Sequence, residues 1–215
     1  MPILTIKNSQ IIMDNKLFNL NNISLNKTTS KALSIVGSSR SNGDRGINDF
    51  YPTPAFAVEK LLEKETFTGS IWECACGQGD ISKVFIAKGF SVHSTDLADR
   101  GYGIPEKHFL KYNGEMYDNI ITNPPYKHAP EFVLQAKKYA RYKVAMFLKT
   151  VFLESEARFE MFNDKEFPLK TMYQFSKRVT LYKDGKKMKN SGMIAYAWFV
   201  WERNYTGKPT IEWIL

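Results

Sequence analysis

Cysteine is scarce in this 215-residue chain: Cys74 and Cys76 are the only two. Separated by a single residue, they cannot staple distant segments together. The only histidines are His93, His108 and His128, which share no ligand spacing, so no metal site is expected. A reducing, cytoplasmic home is the default for such a chain. Long apolar runs are missing too. Gly192 to Trp201 is the longest and is far too short to cross a bilayer. Met1 to Lys16 has no basic start followed by an apolar block, so neither a membrane span nor a secretory signal is expected. Disorder-type composition is absent, with 43% hydrophobic and 24% charged residues. Acidic residues are in deficit, 22 against 30 lysines and arginines, for a net charge of +8. That excess favours a polyanionic partner such as nucleic acid.

Two regions differ along the chain. Residues 1–46 read as an N-terminal extension, in which asparagines punctuate short apolar pieces such as Ile11-Ile12-Met13 and a hairpin fits. The polar, glycine-bearing Ser38 to Gly46 reads as a connector. Residues 47–215 read as one α/β domain. Thr53 is placed to cap a helix whose first position is Pro54, with Phe56, Val58, Leu61 and Leu62 on its apolar face. Strands are expected at 70–75, 90–95, 117–122 and 143–148, and helices at 80–88, 130–139 and 152–162. Two longer strands, 170–182 and 193–201, are expected to pair around Asp184-Gly185. Strands alternating with helices argue for an open, mostly parallel sheet covered on both faces, closed by an antiparallel edge.

Glu73-Cys74-Ala75-Cys76-Gly77-Gln78-Gly79 sits where a strand hands over to a helix. Gly77 and Gly79 remove side chains so that a ligand can approach the backbone, and the helix points its positive end at the loop. Asp96 closes the next strand, where an acid can accept hydrogen bonds from ribose hydroxyls. Ser82 stands where a dinucleotide fingerprint would place its third glycine. Glu73 fits another need, holding the ammonium of an amino acid. A ligand with a ribose and an amino-acid tail is S-adenosylmethionine. An ordinary tight turn after a strand is the alternative reading of the loop.

Asn123-Pro124-Pro125-Tyr126 follows an apolar strand. Such a quartet arises by chance in about one chain of this length per thousand. An exocyclic adenine amine is a poor nucleophile because its lone pair is delocalised into the ring, and two oxygens accepting its N–H bonds would favour the pyramidal, reactive form. The Asn123 carbonyl can supply one and the Pro124 backbone carbonyl the other, on a chain stiffened by Pro125. Tyr126 offers a ring for a flipped base. A plain proline-stiffened loop would use the same residues.

Together these motifs resemble the S-adenosylmethionine-dependent DNA adenine-N6 methyltransferases, in particular the compact phage and prophage members with an Asn-Pro-Pro-Tyr motif. The resemblance runs from about Asn48 to the C-terminus. It implies a Rossmann-like class I methyltransferase fold, seven-stranded, with one antiparallel strand near the edge and helices on both faces. It implies double-stranded DNA as partner, with no membrane, and a host cytoplasm. Catalysis would rest on Asn123, Pro124, Pro125 and Tyr126. The cofactor would be held by Tyr51, Thr53 and Pro54 of the Asp49–Pro54 segment, by Glu73, Ala75, Cys76, Gly77 and Gly79, by Asp96 and Leu97, and by Asn123. The family often carries an acid at the end of its third strand. The equivalent Lys107 to Tyr112 has none, which leaves Asn113 or a backbone group. Larger relatives carry a separate recognition domain; 89 residues follow Tyr126 here and the sheet needs many of them, so sequence specificity is expected to be slight or to rest on short elements and the N-terminal extension.

Two basic clusters remain: Lys137, Lys138, Arg141 and Lys143, and Lys177, Arg178, Lys183, Lys186, Lys187 and Lys189. The second interleaves aromatics and suits a phosphate backbone, with Tyr126, Phe175, Lys177 and Arg178 as candidate nucleic-acid contacts and Phe175 as a second wall for the flipped base. Tyr196, Trp198, Phe199 and Trp201 fit a sheet core. Other readings are an RNA amino-group or protein glutamine methyltransferase, or a nucleic-acid-binding module with a vestigial cofactor pocket.

Overall fold

The computed structural model describes residues 50–183, 186–187 and 193–215, with side chains at 50–181 and 193–215, and the backbone of three strands nearer the N-terminus. The chain divides into two compact units, Met1–Asp44 and Arg45–Leu215. In the first, Thr5–Lys7 (β1), Gln10–Met13 (β2) and Lys16–Asn19 (β3) form an antiparallel sheet in sequence order. It has one strand more than the hairpin expected there. The connector read at Ser38–Gly46 lies outside the described residues.

The second unit is built on a seven-stranded sheet. Its strands are Ile71–Glu73 (β4), Val92–Ser94 (β5), Tyr117–Thr122 (β6), Ala140–Lys149 (β7), Leu169–Phe175 (β8), Tyr196–Glu202 (β11) and Thr210–Ile214 (β12). In a separate two-stranded ribbon, Tyr182–Lys183 (β9) pairs antiparallel with Lys186–Lys187 (β10). The sheet order is β12-β8-β11-β7-β6-β4-β5. Only β11 runs against its neighbours, pairing antiparallel with both β7 and β8, while the other pairs are parallel.

Both faces are covered, and the strands read as apolar runs for that reason. Along β7, Val144, Met146 and Leu148 enter one core while Ala145 and Phe147 enter the other. Along β11, Ala197, Phe199 and Trp201 alternate in the same way with Tyr196, Trp198 and Val200. The expected aromatic core strand is therefore present. Helices Ala55–Lys64 (α1) and Asp80–Ala87 (α2) cover one face through Ala57, Val58, Leu61, Ile81 and Phe85. Helix Ala129–Tyr139 (α3) covers the other through Phe132, Val133 and Ala136, helped by Met161 of the single-turn helix Phe159–Phe162 (α4). Trp198 ties sheet to helix by donating its indole N–H to the Ala57 carbonyl at 2.7 Å.

Three expectations are corrected here. The strand expected at 170–182 ends at Phe175. The stretch 152–162 is not one helix. It breaks into 3₁₀ turns at Thr150–Leu153 and Glu156–Arg158 before α4. The stretch Lys107–Tyr112, set against the end of the family's third strand, holds a 3₁₀ turn, Phe109–Lys111, packed on Trp72, and the sheet stops at β5 apart from a lone bridge between Thr95 and Ile104. The seventh strand comes instead at the opposite rim. There β12 pairs on one side only, with Ile211 and Trp213 exposed, the latter by 67%.

Candidate active site

In this strand order the chain leaves β4 toward β5 on one side and β6 lies on the other, so a crevice opens beyond the carboxyl ends of β4 and β6. The glycine loop leaves β4 and Asn123 leaves β6, so topology alone brings the two motifs to one crevice.

The glycine loop is held by polar bonds. Gly77 and Gly79 have φ of +56° and +80°, and Gly79 flanks the start of α2. A Cβ on Gly77 would enter the Phe50 ring, and one on Gly79 would enter the Tyr102 ring. The bare glycines thus admit two aromatic rings, a use of them that the sequence did not reveal. Asp96 braces the loop, with Oδ2 accepting from the Gly77 N–H at 2.8 Å and Oδ1 accepting from the Ala98 N–H at 2.9 Å. Each oxygen keeps a further lone pair for a ligand. Leu97 beside it is exposed.

Glu73 is not at the mouth of the site. It is 2% exposed, and its Oε2 accepts from the Ser82 N–H at 2.8 Å and from the Ser82 hydroxyl. That hydroxyl lies 2.6 Å from the Ser94 hydroxyl. Burial pushes the Glu73 carboxyl up to about 8, against the lowering pull of the Ser82 hydrogen bonds. Through Ser82, Glu73 braces β4 against α2, and burial favours its neutral form. Burial also raises both thiols, Cys76 to about 12, so neither is a nucleophile at neutral pH. Ala75 is half-buried in the same loop.

The Asn123 side chain is locked from the other side. Its Nδ2 donates to the Tyr51 carbonyl at 2.9 Å and to Thr53 Oγ1 at 3.0 Å. The Tyr51 carbonyl can only accept, so the amide orientation is fixed, with Oδ1 turned away from the segment. This also corrects the helix start. Thr53 does not cap α1, because its hydroxyl is engaged by Asn123. Pro54 flanks the helix instead, accepting from the Ala57 N–H through its carbonyl at 2.9 Å. Pro124 is buried, and Pro125 is extended at φ −54° and ψ 116° before the turn into α3. The Tyr126 ring stacks on Tyr51 at 5.6 Å between centroids, with the Lys149 ammonium 4.9 Å from its centroid.

Comparison with known proteins bears on the fold. No family model matches the sequence, and no curated protein matches it. Solved structures do. A Pyrococcus horikoshii protein described as an RNA methyltransferase matches 83% of this chain and 100% of its own, at 16% identity and a TM-score of 0.58. A Vibrio vulnificus protein described as a type I restriction enzyme modification subunit matches 91% of this chain at 15% identity and a TM-score of 0.56. This chain spans 54% of that subunit. A Listeria monocytogenes protein described as a class I S-adenosylmethionine-dependent methyltransferase matches 92% of this chain and 75% of its own, at 15% identity and a TM-score of 0.54. The fold is that of the class I methyltransferases.

Within this methyltransferase fold, Tyr51, Thr53, Gly77, Gly79, Asp96 and Asn123 come together at the carboxyl ends of β4 to β6, whereas Phe175 does not join them. Phe175 is 6% exposed and packs edge-on against Phe56 and Phe147, so it is core and no second wall for a base. Half of the first basic cluster is engaged by internal carboxylates, while Lys138 and Arg141 are exposed. Lys137 is bonded to Asp164 at 2.8 Å, and Lys143 to Glu65 at 2.9 Å. Lys177 and Arg178 are exposed. Asp49 and the side chains of Lys183 to Lys189 lie outside the described residues. Arg100 and Tyr102 were missed beside the loop, and Phe50 was read only as part of the Asp49–Pro54 segment, although the two left-handed glycines signal that something bulky passes close by.

Proposed function

We propose that the chain transfers a methyl group from S-adenosylmethionine to the exocyclic N6 of adenine in DNA. The observation that carries this reading is the orientation of Asn123. Both of its amide donors are committed to the 51–53 segment, which leaves Oδ1 with no donor among the described residues. No described group donates to the Pro124 carbonyl either. Two neighbouring acceptors at the end of β6 suit an amine with two N–H bonds to direct.

The glycine loop fits the cofactor. Asp96 retains lone pairs for ribose hydroxyls, and Leu97 is exposed beside it to meet a purine face. When bound, the cofactor supplies an electrophilic methyl carbon on a sulfonium. Asn123 and Pro124 would hold the target amine by accepting hydrogen bonds from its two N–H groups, so that the nitrogen lone pair is turned out of the ring plane toward that carbon. In that transfer the N–C bond would form as the C–S bond broke, with the electron pair left on sulfur and one proton lost from the nitrogen to water. The protein contributes position and acceptor dipoles, with no covalent intermediate. The Tyr126 ring, already layered on Tyr51, is the platform for the flipped base, and exposed Lys177 and Arg178 are phosphate contacts.

The test is incubation with labelled S-adenosylmethionine and either unmodified double-stranded DNA, RNA or protein, followed by mass spectrometry of nucleosides and residues. N6-methyladenine in DNA is expected. Label in RNA or glutamine with none in DNA would replace the acceptor, and no label in any substrate would end the methyltransferase reading.

A further inference from the structure

We propose that Arg100 anchors the α-carboxylate of the cofactor's amino-acid tail, with Phe50 as the platform on which its guanidinium lies; the inference rests on the S-adenosylmethionine reading above. The Arg100 guanidinium carbon is 4.5 Å from the centroid of the Phe50 ring. That ring lies directly against the α-carbon of Gly77, the residue whose N–H is bonded to Asp96. Arg100 sits in an excursion closed at its base. Ile104 donates to the Ser94 carbonyl at 2.9 Å and accepts from the Asp96 N–H at 3.1 Å. Gly101 and Gly103 turn the loop with φ of +77° and +69°. The arginine is partly buried and forms no ion pair among the described residues.

The direction of the ligand follows from the two ends of the site. Asp96 marks the ribose. The reactive methyl has to lie toward Asn123, whose amide is bonded to Tyr51, and Phe50 is the next residue in the chain. The sulfur, and the tail beyond it, therefore run toward Phe50 and Gly77, while the purine runs the other way toward Leu97. The tail ends in a carboxylate. A planar guanidinium stacked on a ring keeps its donor edges free in the plane, and their fork matches a carboxylate. Glu73 and Asp96 do not compete for it: Glu73 Oε2 is bonded to Ser82, and both oxygens of Asp96 accept from backbone N–H groups.

Titration calorimetry with S-adenosylmethionine and with its decarboxylated analogue tests this, because the analogue lacks only the carboxylate. Arg100→Gln is expected to weaken S-adenosylmethionine by about 10- to 100-fold and the analogue by no more than about 3-fold, the loss of one charge-assisted pair. The unmutated protein should itself prefer S-adenosylmethionine over the analogue by a similar factor, a reading that needs no variant to fold. Equal loss for both ligands, no loss for either, or loss of DNA affinity alone would overturn the assignment. If the unmutated protein binds both ligands and does not discriminate, only this inference falls. If it binds neither, the methyltransferase reading falls with it.

Discussion

The two halves of the central sheet are built on different principles. On the β4–β5 side the strands are three residues long, and the functional loop is held by side chains that bond to backbone: Asp96 to Gly77 and Ala98, Glu73 to Ser82. On the β7–β11–β8 side the strands are seven to ten residues long and carry Phe147, Trp198, Phe199 and Trp201, all fully buried. The long half supplies cohesion through apolar area, while the short half supplies direction through hydrogen bonds. β6 and Asn123 lie at the seam between them.

Breaking the long half should have the largest effect. Trp198→Ala removes a buried indole and its bond to Ala57, and should cost about 3–5 kcal/mol of stability, read as a shift in the urea midpoint. At the seam, Asn123→Ala should lower methyl transfer by about 100- to 1,000-fold while cofactor affinity changes little, since it removes an acceptor used by the target amine. Equal activity in that variant would remove Asn123 from the reaction.

In the short half, Glu73→Gln sharpens the contrast through pH. The folded carboxyl titrates near 8, well above its ordinary 4.5, so the native state disfavours the ionised form. Stability due to this group is greatest below pH 4.5 and is lost as pH rises toward 8. The glutamine variant, which stays neutral, should gain on the parent across that window, by on the order of 2–4 kcal/mol above pH 8 and by little at pH 4. A constant difference across pH would show that Glu73 is not a buried neutral acid. Thr53→Val, the mildest change, removes one of the two acceptors that orient Asn123. It should lower turnover by about 10-fold with stability nearly unchanged, the cost of one hydrogen bond.

The sequence made the long half legible. Runs such as Lys143 to Leu148 and Tyr196 to Trp201 are apolar because both their faces are covered, and β6 was expected at its observed bounds, Tyr117–Thr122. Two motifs at strand ends also read correctly as neighbours, because parallel topology gathers such ends into one crevice. The rest depended on partners far away in sequence. Whether Thr53 caps a helix or orients Asn123 is decided by a residue 70 positions on. Lys137 and Lys143 look like a solvated basic face until Asp164 and Glu65 are found against them. The stretch Lys107–Tyr112, set against the end of the family's third strand, packs Phe109 and Tyr112 on Trp72, a partner 35 or more positions away. Thr210–Ile214 carries the alternation of an edge strand, but five residues give too little period to stand out.

That last strand also has a practical consequence. Among the described residues its outer edge pairs with no further strand, and Ile211 and Trp213 are exposed along it. Such a rim is a template for stacking molecule upon molecule, so the chain should lose monodispersity as its concentration rises. A lysine at Trp213 should restore it, and added salt, which screens the repulsion of a +8 protein, should make matters worse.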